Sequence, residues 1–231
     1  MTVIYSIKNE MCFYSKQSKD ALTVANRFRA KISEPVDFSS YDIQSAFTYP
    51  KSPVITNQNP SCISMFNWGL IPPHSTEESI KRYTLNARIE TIEKTKSFVE
   101  CSNNRCLVIA DGFYEWKHII KEGKVFKEKY LISLPDNSLF AFAGLFSFWK
   151  DPLSGLIKKT YTIITTEADD FMAGIHNVKR RMPVILKEED EEKWLNLYEM
   201  NNFALPYHRE LLAFLCPSVN KKREDFDNLL F

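Results

Sequence analysis

The sequence lacks a charge excess of either sign: 30 Lys and Arg against 29 Asp and Glu leave a formal charge of +1. The bulk electrostatics of a strongly basic nucleic-acid binder are therefore excluded, and any grip on phosphates has to come from a local cluster of Lys and Arg. A long apolar run is also missing, since the most apolar stretch, Leu139 to Trp149, falls short of the ~20 residues a bilayer-spanning helix needs. Met1-Thr2-Val3-Ile4-Tyr5 is not a basic region followed by an apolar core, so no secretory signal is read and a soluble cytoplasmic protein is expected. No CxxC pair exists. The five cysteines are an odd number without an export signal, so reduced thiols are expected. A zinc site built on Cys101, Cys106 and His118 would be short of ligands. Cys62, Cys101, Cys106 and Cys216 are read as small buried hydrophobes. Neither a GxGxxG nor a GxxxxGK[ST] phosphate loop occurs, and there is no internal repeat or low-complexity linker.

What is present is globular. The 231 residues are 44% hydrophobic and 26% charged, which rules out a disordered or collagenous chain and favours one domain. Asp20 to Ala30 has helical apolar spacing with Asp20 as the N-cap, and the stretch from there to about Ser61, rich in Pro and Ser, is expected to form loops with short edge strands. Ile63–Trp68, Leu107–Ala110, Lys129–Leu134, Ser138–Leu145 and Thr160–Thr166 are β-branched and aromatic and predict strands. Glu188 to Met200 predicts an amphipathic helix, and Arg209 to Leu215 one more helical turn. Strands dominate the middle without βαβ alternation. The expected fold is α+β: curved, mixed or antiparallel, barrel-like sheets with a few flanking helices in a single domain.

Several polar residues sit inside apolar segments. If Phe113–Trp116 is a strand, Phe113 and Glu115 share one face and Tyr114 and Trp116 the other. A carboxylate among aromatics is then partly desolvated and suited to acid–base work, although a solvated strand-end glutamate fits the spacing too. His176 precedes Lys179, Arg180 and Arg181, cations that favour its neutral, base-competent form, but a loop histidine without a role would look the same. Asn86 and Arg88, two apart on a strand, would present an amide and a guanidinium together, fit for a phosphate or sugar oxygen or equally for an ordinary surface.

In combination, Met11-Cys12, Trp68-Gly69-Leu70-Ile71-Pro72, Asn86-Ala87-Arg88-x-Glu90-Thr91, Ala110-Asp111-Gly112-Phe113-Tyr114-Glu115-Trp116, Phe142-Ala143-Gly144-Leu145, Ile164-Thr165-Thr166-Glu167-Ala168 and Arg181-Met182-Pro183-Val184-Ile185-Leu186 resemble, in order, the SRAP family (SOS response-associated peptidases, understood as abasic-site processing proteins). The resemblance implies capture of abasic sites in single-stranded DNA through a covalent cross-link to the cysteine after the initiator methionine. It implies Cys12 as nucleophile, Asn86 as a positioning group, and Glu115 and His176 as the acid–base pair. Arg88, Trp68, Arg181 and Thr165 are the implied DNA contacts. No metal or organic cofactor is implied, and a monomer, nucleoid-associated when acting on DNA, is expected.

The chemistry of such a link is simple. The α-amine of a terminal cysteine attacks the open-chain aldehyde of an abasic sugar, water leaves to give a Schiff base, and the thiol of the same residue closes a five-membered thiazolidine ring in an intramolecular step. An α-amine titrates near about 7.7–8.0, so a sizeable fraction is unprotonated at neutral pH. Trp68 would stack on a base, or else sit in the core. Cys12 is not terminal as numbered. Residues 1–11 are expected to be an upstream misread or a cleaved extension, residues 12–218 the domain, and 219–231 a mobile tail. Two departures from the family pattern stand out: Phe13-Tyr14 replace its Gly-Arg, and three extra residues separate His176 from Arg181. Two rival functions are a thiol peptidase using Cys12, His176 and Glu115, and a non-covalent single-strand binder.

Overall fold

The computed structural model describes residues 13–217; the expectations for Cys12, for the segment before it and for the tail from 219 lie outside the described residues. In chain order the strands are β1 (Tyr14–Gln17), β2 (Lys31–Ile32), β3 (Tyr41–Ser45), β4 (Lys51–Thr56), β5 (Asn59–Trp68), β6 (Asn86–Arg88), β7 (Arg105–Ala110), β8 (Gly112–Lys121), β9 (Lys124–Ser133), β10 (Phe140–Lys150), β11 (Ile157–Glu167), β12 (Arg181–Pro183), β13 (Ile185–Leu186) and β14 (Leu212–Leu215). The helices are α1 (Ala21–Phe28), α2 (Lys96–Val99), α3 (Asp170–Ile175) and α4 (Glu188–Leu195). No helix among the described residues is long and apolar enough to cross a membrane.

Two sheets form, one five-stranded in the order β14-β9-β8-β1-β3 and one nine-stranded. Within the larger sheet β11 pairs with β10 on one side and, in parallel, with β5 on the other. The ring β11-β10-β7-β4-β5 therefore closes on itself as a five-stranded barrel. Full closure removes the exposed edges that a sheet of such apolar strands would otherwise carry. Alternation splits the core in two. Phe140, Phe142 and Phe146 of β10 join Val108, Tyr161 and Ile163, and this cluster runs on to Phe13, Phe113 and Ile132 of the smaller sheet. Ala141, Ala143 and Leu145 face the other way, with Val24 of α1 and Trp194 of α4. Gly144 marks the closest approach of three strands: a Cβ there would lie 2.9 Å from Cys106 Sγ, Val108 Cγ2 and the Thr162 carbonyl oxygen.

The architecture matches the expected α+β, barrel-like class. Three local expectations are corrected. Arg209 to Leu215 holds no helical turn, because Leu212–Leu215 extends along the open edge of β9, with Leu212 opposite Ser133 and Leu215 opposite Tyr130. The segment before Ser61 is not confined to loops and edges, because β4 lies between β5 and β7 in the barrel. Pro53 is tolerated there because the β7 ladder starts only at Val54. The helix expected to reach Met200 stops at Leu195.

Candidate active site

β8 pairs with β1 so that Tyr14 lies opposite Tyr114 and Ser15 opposite Phe113. With period-2 alternation Phe113 and Glu115 point to one face and Tyr114 and Trp116 to the other. The rings agree, since Tyr14 and Trp116 have centroids 4.8 Å apart while Phe113 meets Phe142 of the barrel at 5.8 Å. Glu115 is only 4% exposed. One step beyond the Tyr14–Tyr114 pair, the same register brings Phe13 level with Glu115. Phe13 is the residue to which Cys12 is bonded.

His176 caps the C-terminal end of α3, a helix opened by Asp169, whose carboxylate accepts from Met172 N at 2.8 Å. The histidine is 4% exposed, and its Nδ1 lies 2.8 Å from the carbonyl oxygen of Arg181. A carbonyl only accepts, so Nδ1 carries a proton. The extra residues before Arg181 form a turn in which Arg180 N donates to the His176 carbonyl at 2.9 Å. Asn177 then docks the turn on β8: its Oδ1 accepts from His118 N at 3.0 Å and its Nδ2 donates to His118 O at 2.8 Å. A side-chain amide thus stands in for a neighbouring strand, three residues along β8 from Glu115.

In the larger sheet β6 runs parallel to β11, with Asn86 beside Ile163 and Arg88 beside Thr165. Asn86 is 8% exposed, whereas Arg88 reaches solvent. Arg181 does not. Its guanidinium forms a fork on Glu90, Nη1–Oε1 and Nη2–Oε2 both 2.9 Å, and Nη2 also donates to the Thr165 carbonyl at 2.9 Å. Burial pushes the Glu90 carboxyl up, but the Arg181 hydrogen bonds and charge, together with backbone N–H groups, hold it below its usual value. Arg181 therefore links the β6–β11 region to the end of α3, through its side chain to Glu90 and Thr165 and through its carbonyl to His176.

Three of the expected DNA contacts are thus placed inside the protein. Arg181 is spent on Glu90. Thr165 is 1% exposed, its hydroxyl 3.3 Å from the Ala87 carbonyl. Trp68 has no exposed surface; it stacks on Tyr161 and its Nε1 donates to the Leu85 carbonyl at 2.7 Å, so no face of the indole is open to a base. Arg88 alone of the four is at the surface. Among the described thiols, burial pushes Cys101 up to about 11 and Cys106 well above its ordinary value. Cys62 and Cys216 are half-exposed, contrary to the expectation that they are buried.

Sequence reasoning left three positioning residues without a role. Glu90 and Asn177 are described above. The third is Asp111, at the β7–β8 corner, which accepts from Ser18 N at 3.0 Å, from the Ser18 hydroxyl and from Lys16 Nζ at 3.0 Å, tying the end of β1 to the start of β8. Burial opposes its ionisation, and these hydrogen bonds reverse the balance to hold its carboxyl below the usual range. Glu90 and Asp111 lie within the motifs quoted above, so their place there was the available signal. Asn177 carries no local signal, since its partner is on a distant strand.

Comparison with known proteins gives a consistent result. A family model described as SOS response associated peptidase (SRAP) matches residues 11–218. The abasic site processing protein YoqW of Bacillus subtilis is 40% identical over 144 residues, covering 62% of this chain and 61% of the relative. The abasic site processing protein YMR114C of Saccharomyces cerevisiae is 32% identical over 199 residues, covering 84% of this chain and 49% of the relative. The aligned part of the chain thus spans about half to three fifths of these relatives. A crystal structure of a protein from Bacteroides thetaiotaomicron superposes with a TM-score of 0.80 at 32% identity, covering 90% of this chain and 93% of that one.

Proposed function

The chain belongs to the SOS response associated peptidase family, and on that premise we propose that it captures abasic sites in single-stranded DNA as a covalent adduct of Cys12. The supporting observation is the register that sets Phe13, the residue bonded to Cys12, level with the buried Glu115. The names of the relatives as abasic site processing proteins support the substrate class.

The reaction requires a free α-amine on Cys12. That amine adds to the C1′ aldehyde of the opened sugar to give a carbinolamine, which loses water to form the Schiff base. The thiol adds across the C=N bond, its proton passes to nitrogen, and the thiazolidine closes without any redox change. Glu115 moves protons among amine, hydroxyl and thiol. His176, its ring oriented by the Arg181 carbonyl on Nδ1, takes through Nε2 the proton released as the sugar opens or the carbinolamine dehydrates. Asn86 positions the sugar, and Arg88 holds a flanking phosphate from the solvent side. The buried thiols Cys101 and Cys106 are poor competitors for the role of nucleophile, because burial keeps them protonated at neutral pH.

The test is direct. Protein beginning at Cys12, verified by intact mass, is incubated with a single-stranded oligonucleotide carrying one abasic site. An adduct that survives denaturing electrophoresis and disappears with Cys12→Ala is the expected result. No adduct from the wild-type protein, or an undiminished one from Cys12→Ala, would reject the proposal.

A further inference from the structure

We propose that Lys179 and Arg180, on the turn that follows His176, bind phosphates of the single strand at one end of the candidate site while Arg88 holds it at the other; this deepens the abasic-site reading and rests on it. The turn from Asn177 to Arg180 carries the three extra residues that set this chain apart from the family pattern, and the structure fixes it at both ends. Asn177 anchors it to β8 through both hydrogen bonds of its amide to the His118 backbone. At the other end Arg180 N donates to the His176 carbonyl, and Ala168 N donates to the Arg180 carbonyl, both at 2.9 Å. Arg180 adopts a left-handed φ of 51°, a conformation that a non-glycine residue holds where its surroundings impose it. Two cations are thus presented by a held backbone.

Their place follows from the ladders. Thr165 of β11 pairs with Arg88 on one edge and with Pro183 of β12 on the other. Arg180 is level with Ala168, three residues further along. The backbones of Arg88 and Arg180 are therefore about 14 Å apart, across two strand spacings and along three residues. His176, bonded to the Arg181 carbonyl at 2.8 Å, lies at the Arg180 end of that span.

Other cations of these elements are already matched: Arg181 by Glu90, and Lys16 and Lys19 by Asp111 at 3.0 and 3.8 Å. Among the described residues no carboxylate comes within 4.0 Å of the charged groups of Arg88, Lys179 or Arg180. Arg88 and Arg180 are exposed and Lys179 is half-buried. The packed elements do carry acids. Asp169 caps the far end of α3 through Met172 N, with Asp170 beside it, and Glu128 stands opposite Lys117 and takes the Tyr130 hydroxyl. Glu167 stands opposite Arg181 in the β11–β12 ladder and makes no ion pair with Arg180. In a chain of net charge +1, unmatched cations on both edges of β11 supply locally what phosphate binding needs. Cations past the end of α3 would also complement its dipole, but that role leaves DNA binding untouched.

The test uses the full chain and a fluorescently labelled single strand of roughly ten nucleotides carrying a tetrahydrofuran abasic analogue. The analogue lacks the C1′ aldehyde and so reports binding without an adduct. Anisotropy is measured across a salt series. Lys179→Gln with Arg180→Asn removes both charges and keeps a residue that accepts the left-handed conformation, with circular dichroism verifying the fold. Affinity should fall roughly tenfold or more near about 0.1 M salt, and the slope of log affinity against log salt should shrink by about 1.4, at about 0.7 per lost phosphate contact. Arg29→Asn with Lys31→Gln removes equal charge from α1 and β2, again at a positive φ of 50° for Arg29, and should leave the slope at its wild-type value. An unchanged slope in the first variant would overturn the proposal, including the case in which only the pH profile of adduct formation moves, because the pair would then act through His176 alone. An equal change in the control would overturn it too, as would a polyglutamate peptide that binds through Lys179 and Arg180 while the oligonucleotide does not. Adduct formation by the wild-type protein on a true abasic strand reports separately on the underlying reading: an adduct with an unchanged slope in the variant sinks only the turn, and a reduced slope without any adduct sinks only the capture chemistry.

Discussion

Arg181 and Glu90, 91 residues apart in sequence, meet fork to fork with both N–O distances at 2.9 Å. The pair locks the turn after β6 to β12, and the carbonyl of the same arginine holds the Nδ1 proton of His176. A residue of a type associated with phosphate binding is thereby a positioning residue, and its charge is spent inside the protein.

Glu90→Gln leaves the 9%-exposed Arg181 side chain without its counter-charge. Because the Glu90 side chain is itself 36% exposed, water offsets part of the loss, and a cost of about 1–3 kcal/mol is expected from the shift of the urea midpoint. A midpoint that does not move would mean that the fork contributes nothing to stability.

Acid should destabilise the fold through Asp111 and Glu90. Both carboxyls are held below their unfolded values, so their contribution is fully present above the ordinary carboxylate range. As pH falls through about 4 the unfolded chain takes up protons first, and the contribution is lost until the folded groups are protonated as well. Urea titrations between neutral pH and about pH 3 should show this decline, and Asp111→Asn should flatten it. A variant with the wild-type pH slope would contradict the assignment.

Asn177→Ala removes both bonds that dock the His176 turn on β8. On the proposed mechanism the folded protein should form adduct about 10–100-fold more slowly at saturating DNA, with the pH profile of the rate displaced, because His176 would be misplaced rather than removed. Wild-type rates would show that Asn177 has no positioning role.

Alkylation with iodoacetamide at neutral pH should modify Cys62 and Cys216 while sparing Cys101 and Cys106 until the protein is unfolded, since burial both hides the latter pair and raises their pKa. Peptide mass spectrometry reads the order, and early modification of Cys106 would contradict its burial.

Gly144→Ala places a methyl group 2.9 Å from Cys106 Sγ, Val108 Cγ2 and the Thr162 carbonyl. All three neighbours belong to barrel strands that cannot retreat independently, so a loss of about 1–3 kcal/mol is expected in thermal or urea unfolding. Unchanged stability would mean that the barrel yields at this point.

The sequence by itself determined what depends on near neighbours. The β-branched and aromatic runs specify β7, β9, β10 and β11, and alternation alone assigns Phe113 and Glu115 to one face of β8 and Tyr114 and Trp116 to the other. The ordered motifs carried the family. Tertiary structure decided which face is covered and which charges are already matched. Trp68 is inside because Tyr161 stacks on it across the closure of the barrel, Arg181 is turned inward because Glu90 arrives from the turn after β6, and Leu212–Leu215 is extended because β9 offers an open edge. The physical reason is one of range: a side chain's direction follows from backbone periodicity over a few residues, whereas its burial and its partner are set by segments that only folding brings within a few ångströms.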